Sequence, residues 1–447
     1  MPDSPYRPIS GNFASISPLS EGSHASVAGT GAAGYLGALG PNGPSQSMVA
    51  GPVGATGAQG PTSFPEVGDI GSAAIAIPGL SELASSDMGD DLGSELASQL
   101  VLAMSGLIDS RRLRASVCAY LDVCLARSRD TTASGHRIVD ADKLFDWLAT
   151  LTIIGHPRPI GPFILFETFL DLLHEWQAAH PGTHVHKAGA YYWAGWRDID
   201  LDNITRGLLY MRQSVIEDEA TTGQAMPSRP STWFVTMDPS EPNQAYRPRV
   251  SEYAAVVESY LREYATTGIG TMTMGDLRTR LKRPEMLNTA VGLLHIVAQV
   301  RVMKDPSTHR VREQEFAALV YSQLLLEIAL IFEELLAPIV GATPAMTLGG
   351  MLPSYSAPAF HITSADCHLV RDECNRDLDA AATSLLDRGG LAGRTFAAQK
   401  RDALLLYGVR NASAHRLARS SVLARRFEDL ASHLLFAVFY LFEQKYT

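Results

Sequence analysis

Arg410, Asn411 and His415 are the residues of this chain whose types and spacing best suit joint chemistry, in the run R-N-x-x-x-H within YGVRNASAHRLARS. Histidine titrates near neutrality, so it takes or gives a proton at physiological pH. Arginine keeps its charge and presents a planar fork that matches phosphate oxygens. Metal-independent RNA cleavage needs both: a group to move the proton of the 2′-hydroxyl or of the leaving 5′-oxygen, and a cation against the charge that builds on the phosphate. Asn411 and His415 are four apart, so a helix puts them on one face. On an unbroken helix Arg410 falls about 140° from His415. Gly408 is placed to break the helix just before the motif, and Asn411 or Ser413 to cap a new one. Such a break would swing Arg410 toward His415 and aim backbone N–H donors at a phosphate.

The charge around the motif agrees with an anionic substrate. From residue 394 to 426 there are eight basic side chains, Arg394, Lys400, Arg401, Arg410, Arg416, Arg419, Arg425 and Arg426, against Asp402 alone, a local net of +7. Arg401, Arg416, Arg419, Arg425 and Arg426 are the candidate RNA-binding residues. The same cluster also reads as an ordinary solvated face. Glu327, on an otherwise apolar helix, either orients Arg410 or faces solvent.

The elements that position these residues read as helices throughout. The segment EFAALVYSQLLLEIALIFEELL carries apolar residues at three- and four-residue spacing. A Gly/Pro-rich loop follows. Further helices are expected over 365–386, stopped by Gly389 and Gly390, over 396–407, and from about 413 to 446. Together they predict an up-and-down helical bundle over residues 306–447.

This bundle, with its motif between the third and fourth helices and an aromatic-rich last helix behind it, resembles the HEPN superfamily over residues 313–447. The resemblance implies a metal-independent endoribonuclease with no cofactor. Arg410 and His415 would be catalytic, and Asn411 would support them. Two domains would pair so that both motifs face one cleft, giving a homodimer through the C-terminal domain with RNA as partner. A role in defence or stress response also follows from the resemblance. The alternative is an inactive HEPN-type module that serves as a dimerisation or RNA- or protein-binding scaffold.

Residues 93–305 are expected to form a second helical domain. Within it, YYWAGWRDIDLDNITRGLLYMRQSVIEDEA resembles a tetratricopeptide-type hairpin near 187–220. Tyr191, Ala194 and Gly195 fall at first-helix contact positions, and Gly207, Met211 and Ser214 at second-helix ones. Asp198 stands where that family has an aromatic. One unit makes no solenoid, so a helical-repeat-like core with a possible protein partner is expected. KDPSTH, residues 304–309, marks the boundary to the last domain, and the proline-rich stretch 224–248 reads as a surface loop.

The length of 447 residues allows two or three domains, and the net charge of −10 argues against coating nucleic acid along the whole chain. Residues 1–100 hold nine acids against Arg7, a net of −8, which leaves the remainder near neutral. Residues 1–92 are Gly/Ser/Pro-rich and predict a disordered tail. Gly51, Gly54, Gly57 and Gly60 keep a three-residue period there, read as a flexible linker or, in a third functional reading, as a collagen-like trimerising stalk.

Four cysteines without a CxxC pair, and MPDSPYRPIS without a secretory pattern, predict a cytoplasmic protein. The longest apolar run, 319–340, contains Glu327, Glu333 and Glu334, so no membrane span is expected. His361, Cys367, His368 and Cys374 have no zinc-site spacing, and His184 and His186 lack a nearby third ligand, so no metal site is expected. His433 reads as a packed or exposed side chain. Walker, dinucleotide-binding and nucleophile-elbow motifs are absent.

Overall fold

The computed structural model describes residues 110–141, 160–240, 247–304, 314–357, 360–415 and 421–446. The tail 1–92 with its collagen-like stretch, the helices expected from ELASQLVLAMSGLI and from most of ADKLFDWLATLTII, and nearly all of KDPSTH lie outside them.

The described chain is mostly helical, as the apolar spacing predicts. α1 (Ser110–Arg127), β1 (Arg137–Asp140), α2 (Ile160–Ala179) and β2 (Thr183–His186) come first, with β1 and β2 paired in parallel. The central helices are α3 (Ala188–Asp200), α4 (Ile204–Thr222), α5 (Pro230–Val235), α6 (Arg247–Thr266), α7 (Met274–Leu281) and α8 (Leu287–Lys304). Then come α9 (Gln314–Val340), α10 (Leu348–Ser354), α11 (Ser364–Arg376) and α12 (Leu378–Arg388). The last elements are a hairpin of β3 (Gly390–Leu391) and β4 (Arg394–Thr395), then α13 (Ala398–His415), α14 (Ser421–Arg425) and α15 (Phe427–Lys445).

The α3–α4 hairpin has the close approach that its small residues predict. A Cβ on Gly207 would stand 2.6 Å from Ile199 Cγ1, and one on Gly195 would stand 2.9 Å from the Gly207 carbonyl. Ser214 Oγ donates to the Ala188 carbonyl at 2.7 Å and Met211 is fully buried. Asp198 is fully buried and accepts Arg206 Nε and Nη2 at 2.7 and 2.8 Å. This bidentate pair, rather than an aromatic ring, closes the hairpin turn. Burial pushes the Asp198 carboxyl up, against Arg206 and Asn203, which pull it down.

Two cores meet along α3. Ala190, Tyr191 and Ala194 belong to a cluster with Leu113, Val117, Phe169 and Trp176. Tyr192, Trp196 and Ile199 belong to a second cluster that runs unbroken to Tyr446. Successive helix positions are about 100° apart, so one helix serves both. The larger core crosses the sequence boundary expected near residue 305. Tyr264 of α6 donates to Glu443 of α15 at 2.8 Å, and Ser432 of α15 donates to Glu263 of α6 at 2.9 Å.

Two details depart from expectation and one agrees with it. The helix expected over 365–386 is two helices, because Asp377 takes an extended conformation and caps α12 by accepting Ala380 N–H at 3.0 Å. Gly389 does end α12, with φ of 63°. The loop 224–248 contains α5, which Pro230 starts at its first turn.

Candidate functional site

α13 carries the motif and runs unbroken from Ala398 to His415. The break expected at Gly408, and the new cap at Asn411 or Ser413, do not occur. Gly408 serves packing instead: a Cβ there would stand 2.7 Å from Cys374 Sγ and 3.1 Å from Val370 Cγ1 of α11. Arg410 therefore keeps the angular separation of about 140° from His415 that an intact helix imposes. His415 is the last residue of α13, and its side chain lies outside the described residues, as do Arg416 and Arg419.

Arg410 Nη2 donates to Glu333 Oε2 of α9 at 3.3 Å. Its Nε is buried without a hydrogen-bond partner, and so is Nδ2 of the adjacent Asn411. The Asn411 side chain meets the Tyr407 hydroxyl one turn back, where burial pushes the phenol up and Asn411, Arg371 and Arg410 pull it down. Gly349 of α10 leaves room for that ring, since a Cβ would stand 2.8 Å from the hydroxyl. The arrangement is a guanidinium and an amide with spare donors, at the interface of α9, α10, α11 and α13.

Glu327 does not orient Arg410. It faces α8, where its Oε2 lies 2.7 Å from His295 Nδ1, and it also accepts Gln323 Nε2 at 3.2 Å. Glu327 and Glu333 are six residues apart, so they leave α9 in directions about 120° apart. The sequence reading named Glu327 alone, and the packing of α13 against α9 brings Glu333 to Arg410 instead.

Among the described residues, most of the basic cluster is paired with acids. Asp366 of α11 pairs with Arg394 at 3.4 Å and Lys400 at 2.8 Å. Burial alone would raise the Asp366 carboxyl, but Lys400 and Thr363 outweigh it and hold the pKa at about 2. Arg401, expected on the RNA-binding face, folds back: its Nε donates to Asp402 Oδ1 at 2.8 Å, and its Nη2 lies 3.0 Å from His433 Nδ1. His433 is packed there, 3.0 Å from the same Asp402 oxygen. Arg426 donates to Asp387 at 2.6 Å and Asp429 at 2.9 Å. Arg425 is exposed. The local count of +7 missed this because Glu333, Asp366 and Asp387 are distant in sequence and Asp429 falls just past the counted window.

A second polar cluster escaped the sequence reading. His184 Nε2 lies 3.3 Å from Glu217 Oε2, Lys187 Nζ lies 3.6 Å from Glu217 Oε1, and His186 Nε2 lies 3.1 Å from Asp218 Oδ1. Lys187 also donates to Gln177 Oε1 at 2.8 Å and to the Val185 carbonyl at 2.9 Å. Burial pushes the Lys187 ammonium down, against Glu217, which raises it. The signal was available in α4, where Glu217 and Asp218 fall among residues that also face the core.

Among the described residues no group of three or more His, Cys, Asp or Glu side chains is placed to hold a metal ion. All four cysteines are free, and burial pushes the Cys367 and Cys374 thiols up to about 11 and about 12. No helix among the described residues is long and apolar enough to cross a membrane. No family model matches the chain, and no curated protein or solved structure matches it.

Proposed function

We propose that this chain is a HEPN-type endoribonuclease that acts as a homodimer and cleaves RNA by attack of the ribose 2′-hydroxyl on the adjacent phosphate. The observation that carries the reading is the unpartnered buried donor Arg410 Nε, beside Asn411, on the helix that His415 ends. Buried donors without partners are uncommon, and a phosphate oxygen supplies what they lack. Arg410 stabilises charge on the phosphate, Asn411 positions the phosphate, and His415 transfers the proton. Because α13 is unbroken, one chain holds Arg410 and His415 on different faces. The reading therefore takes His415 from one protomer and Arg410 from its partner into a shared cleft.

Purified protein then cleaves single-stranded RNA in EDTA and leaves a cyclic phosphate. His415→Ala loses about 10²–10⁴-fold in rate, and Arg410→Ala loses about 10²–10³-fold, with thermal stability retained in the first. Cleavage that persists in both variants removes the proposal.

A second reading, a helical scaffold without catalysis, is favoured by the pairing of Arg394, Lys400, Arg401, Arg410 and Arg426 with acids. It is selected if the protein dimerises but leaves RNA intact.

A further inference from the structure

Seven residues beyond His415, α12 and α14 enclose a groove of about 570 Å³ whose walls include Thr383, Asp387, Arg388, Val422, Arg425 and Arg426. That volume lies within the range of small-molecule and nucleotide sites. Of the three arginines on its walls, Arg426 is held by Asp387 and Asp429, which leaves the exposed Arg388 as the cation open to a ligand. Both aspartates of the walls, Asp379 and Asp387, are already used. Asp387 accepts Arg426, and Asp379 accepts the Val422 N–H at 3.3 Å. Arg388 is exposed and has no hydrogen-bond or ion-pair partner among the described residues. The Thr383 hydroxyl also has none. Ala380 and Val422 add apolar surface to the same walls.

We infer that this groove binds a phosphodiester and its nucleoside in a single-stranded RNA, with Arg388 and Thr383 as donors to the phosphate. The single open guanidinium of Arg388 matches one phosphodiester, which carries one negative charge, whereas a free nucleotide monoester carries nearly two. The planar fork of Arg388 supplies paired donors to two phosphate oxygens. Ala380 and Val422 give the ribose or base an apolar rest. Seven residues of extended chain span at most about 25 Å, so one RNA strand reaches from the motif at His415 to the groove. The inference rests on the ribonuclease reading for its substrate, but the groove acts in binding and not in bond cleavage.

The test uses full-length protein and a fluorescent 2′-O-methyl oligonucleotide about ten nucleotides long. This probe lacks the attacking hydroxyl, so binding is read without cleavage. Wild type binds it with an affinity that falls as salt rises. Arg388→Glu weakens binding by about tenfold or more, Arg388→Lys by less, and the melting temperature of both stays at the wild-type value because the residue is exposed. Uridine 5′-monophosphate competes far more weakly than the strand. Equal binding by Arg388→Glu and wild type, or competition by the mononucleotide on a par with the strand, overturns the inference. Binding that depends on Arg388 without cleavage of unmodified RNA keeps the groove and removes the nuclease. Cleavage with no dependence on Arg388 does the reverse.

Discussion

Arg410 Nη2 lies 3.3 Å from Glu333 Oε2, so the cation at the centre of the R-N-x-x-x-H run is held and neutralised by a carboxylate from α9. The pair is mostly enclosed, with side-chain exposures of 26% and 21%. On the proposed ribonuclease reading, a phosphate competes with Glu333 for the same guanidinium. Glu333→Gln removes the competing charge and keeps a hydrogen-bond acceptor. We expect it to raise affinity for the 2′-O-methyl oligonucleotide by about three- to tenfold, from the strength of charged over neutral hydrogen bonds. Fluorescence anisotropy in the Glu333→Gln and wild-type proteins checks this. Weaker binding in the variant would mean that Glu333 aligns Arg410 for its ligand and does not restrain it.

The contact of Gly408 with Cys374 sets how closely α11 and α13 pack. Alanine is the better helix former, yet a Cβ at 408 would meet Cys374 Sγ at 2.7 Å. Overpacking of this kind costs about 1–3 kcal/mol, against a gain in helix propensity of at most about 1 kcal/mol. Gly408→Ala therefore lowers the melting temperature. Cys374→Ala in the same chain removes the obstructing sulfur and restores part of the loss, a coupling that a double-mutant cycle in urea measures.

The helical character of the fold was legible because it depends on local apolar spacing. So was the close α3–α4 contact, since Gly195, Gly207 and Ser214 sit at the spacing that close approach requires. The candidate site was legible only as a list of residues. Gly408 is as good a helix breaker as it is a helix contact, and only the presence of Cys374 opposite it decides. Glu327 and Glu333 share one helix, and their partners, His295 and Arg410, come from different helices. Charge counted along 394–426 could not include Asp366 or Asp387, which tertiary packing delivers. The split at Asp377 is a local signal, an aspartate with capping potential, overridden in the reading by the longer apolar period.

Asp366 gives the fold a defined acid sensitivity. Its side chain is 6% exposed, and Lys400 and the Thr363 capping box hold its pKa at about 2 against an ordinary 3.8. A carboxyl whose pKa is depressed by folding contributes stability above its unfolded value, and that stability is lost as pH falls through the folded value. The window is therefore from about pH 4 down to about pH 2. The shift corresponds to about 2–3 kcal/mol. Asp366→Asn should destabilise the protein at pH 7 by an amount of that order and flatten the pH dependence of unfolding within the window. Chemical denaturation at several pH values tests this, and parallel curves for variant and wild type would refute the assignment.

Lys187 and Glu217 form the ion pair at the seam between the two cores. The Lys187 side chain is 2% exposed and that of Glu217 is 10% exposed. Removing one member of such a pair leaves a buried charge without compensation, at a cost of about 3–5 kcal/mol. Glu217 also faces His184 and His186, so Lys187→Met leaves it only these two imidazoles, whereas Glu217→Gln leaves the ammonium without a carboxylate, on Gln177 and the Val185 carbonyl. Both single variants should lose stability. The double variant Lys187→Met, Glu217→Gln carries no orphaned charge at this pair and should recover at least half of the summed loss. The recovery separates an electrostatic pair from mere packing, because two independent packing defects add. Equilibrium unfolding followed by tryptophan fluorescence reports the region directly, since Trp176 and Trp193 pack in the smaller core beside it.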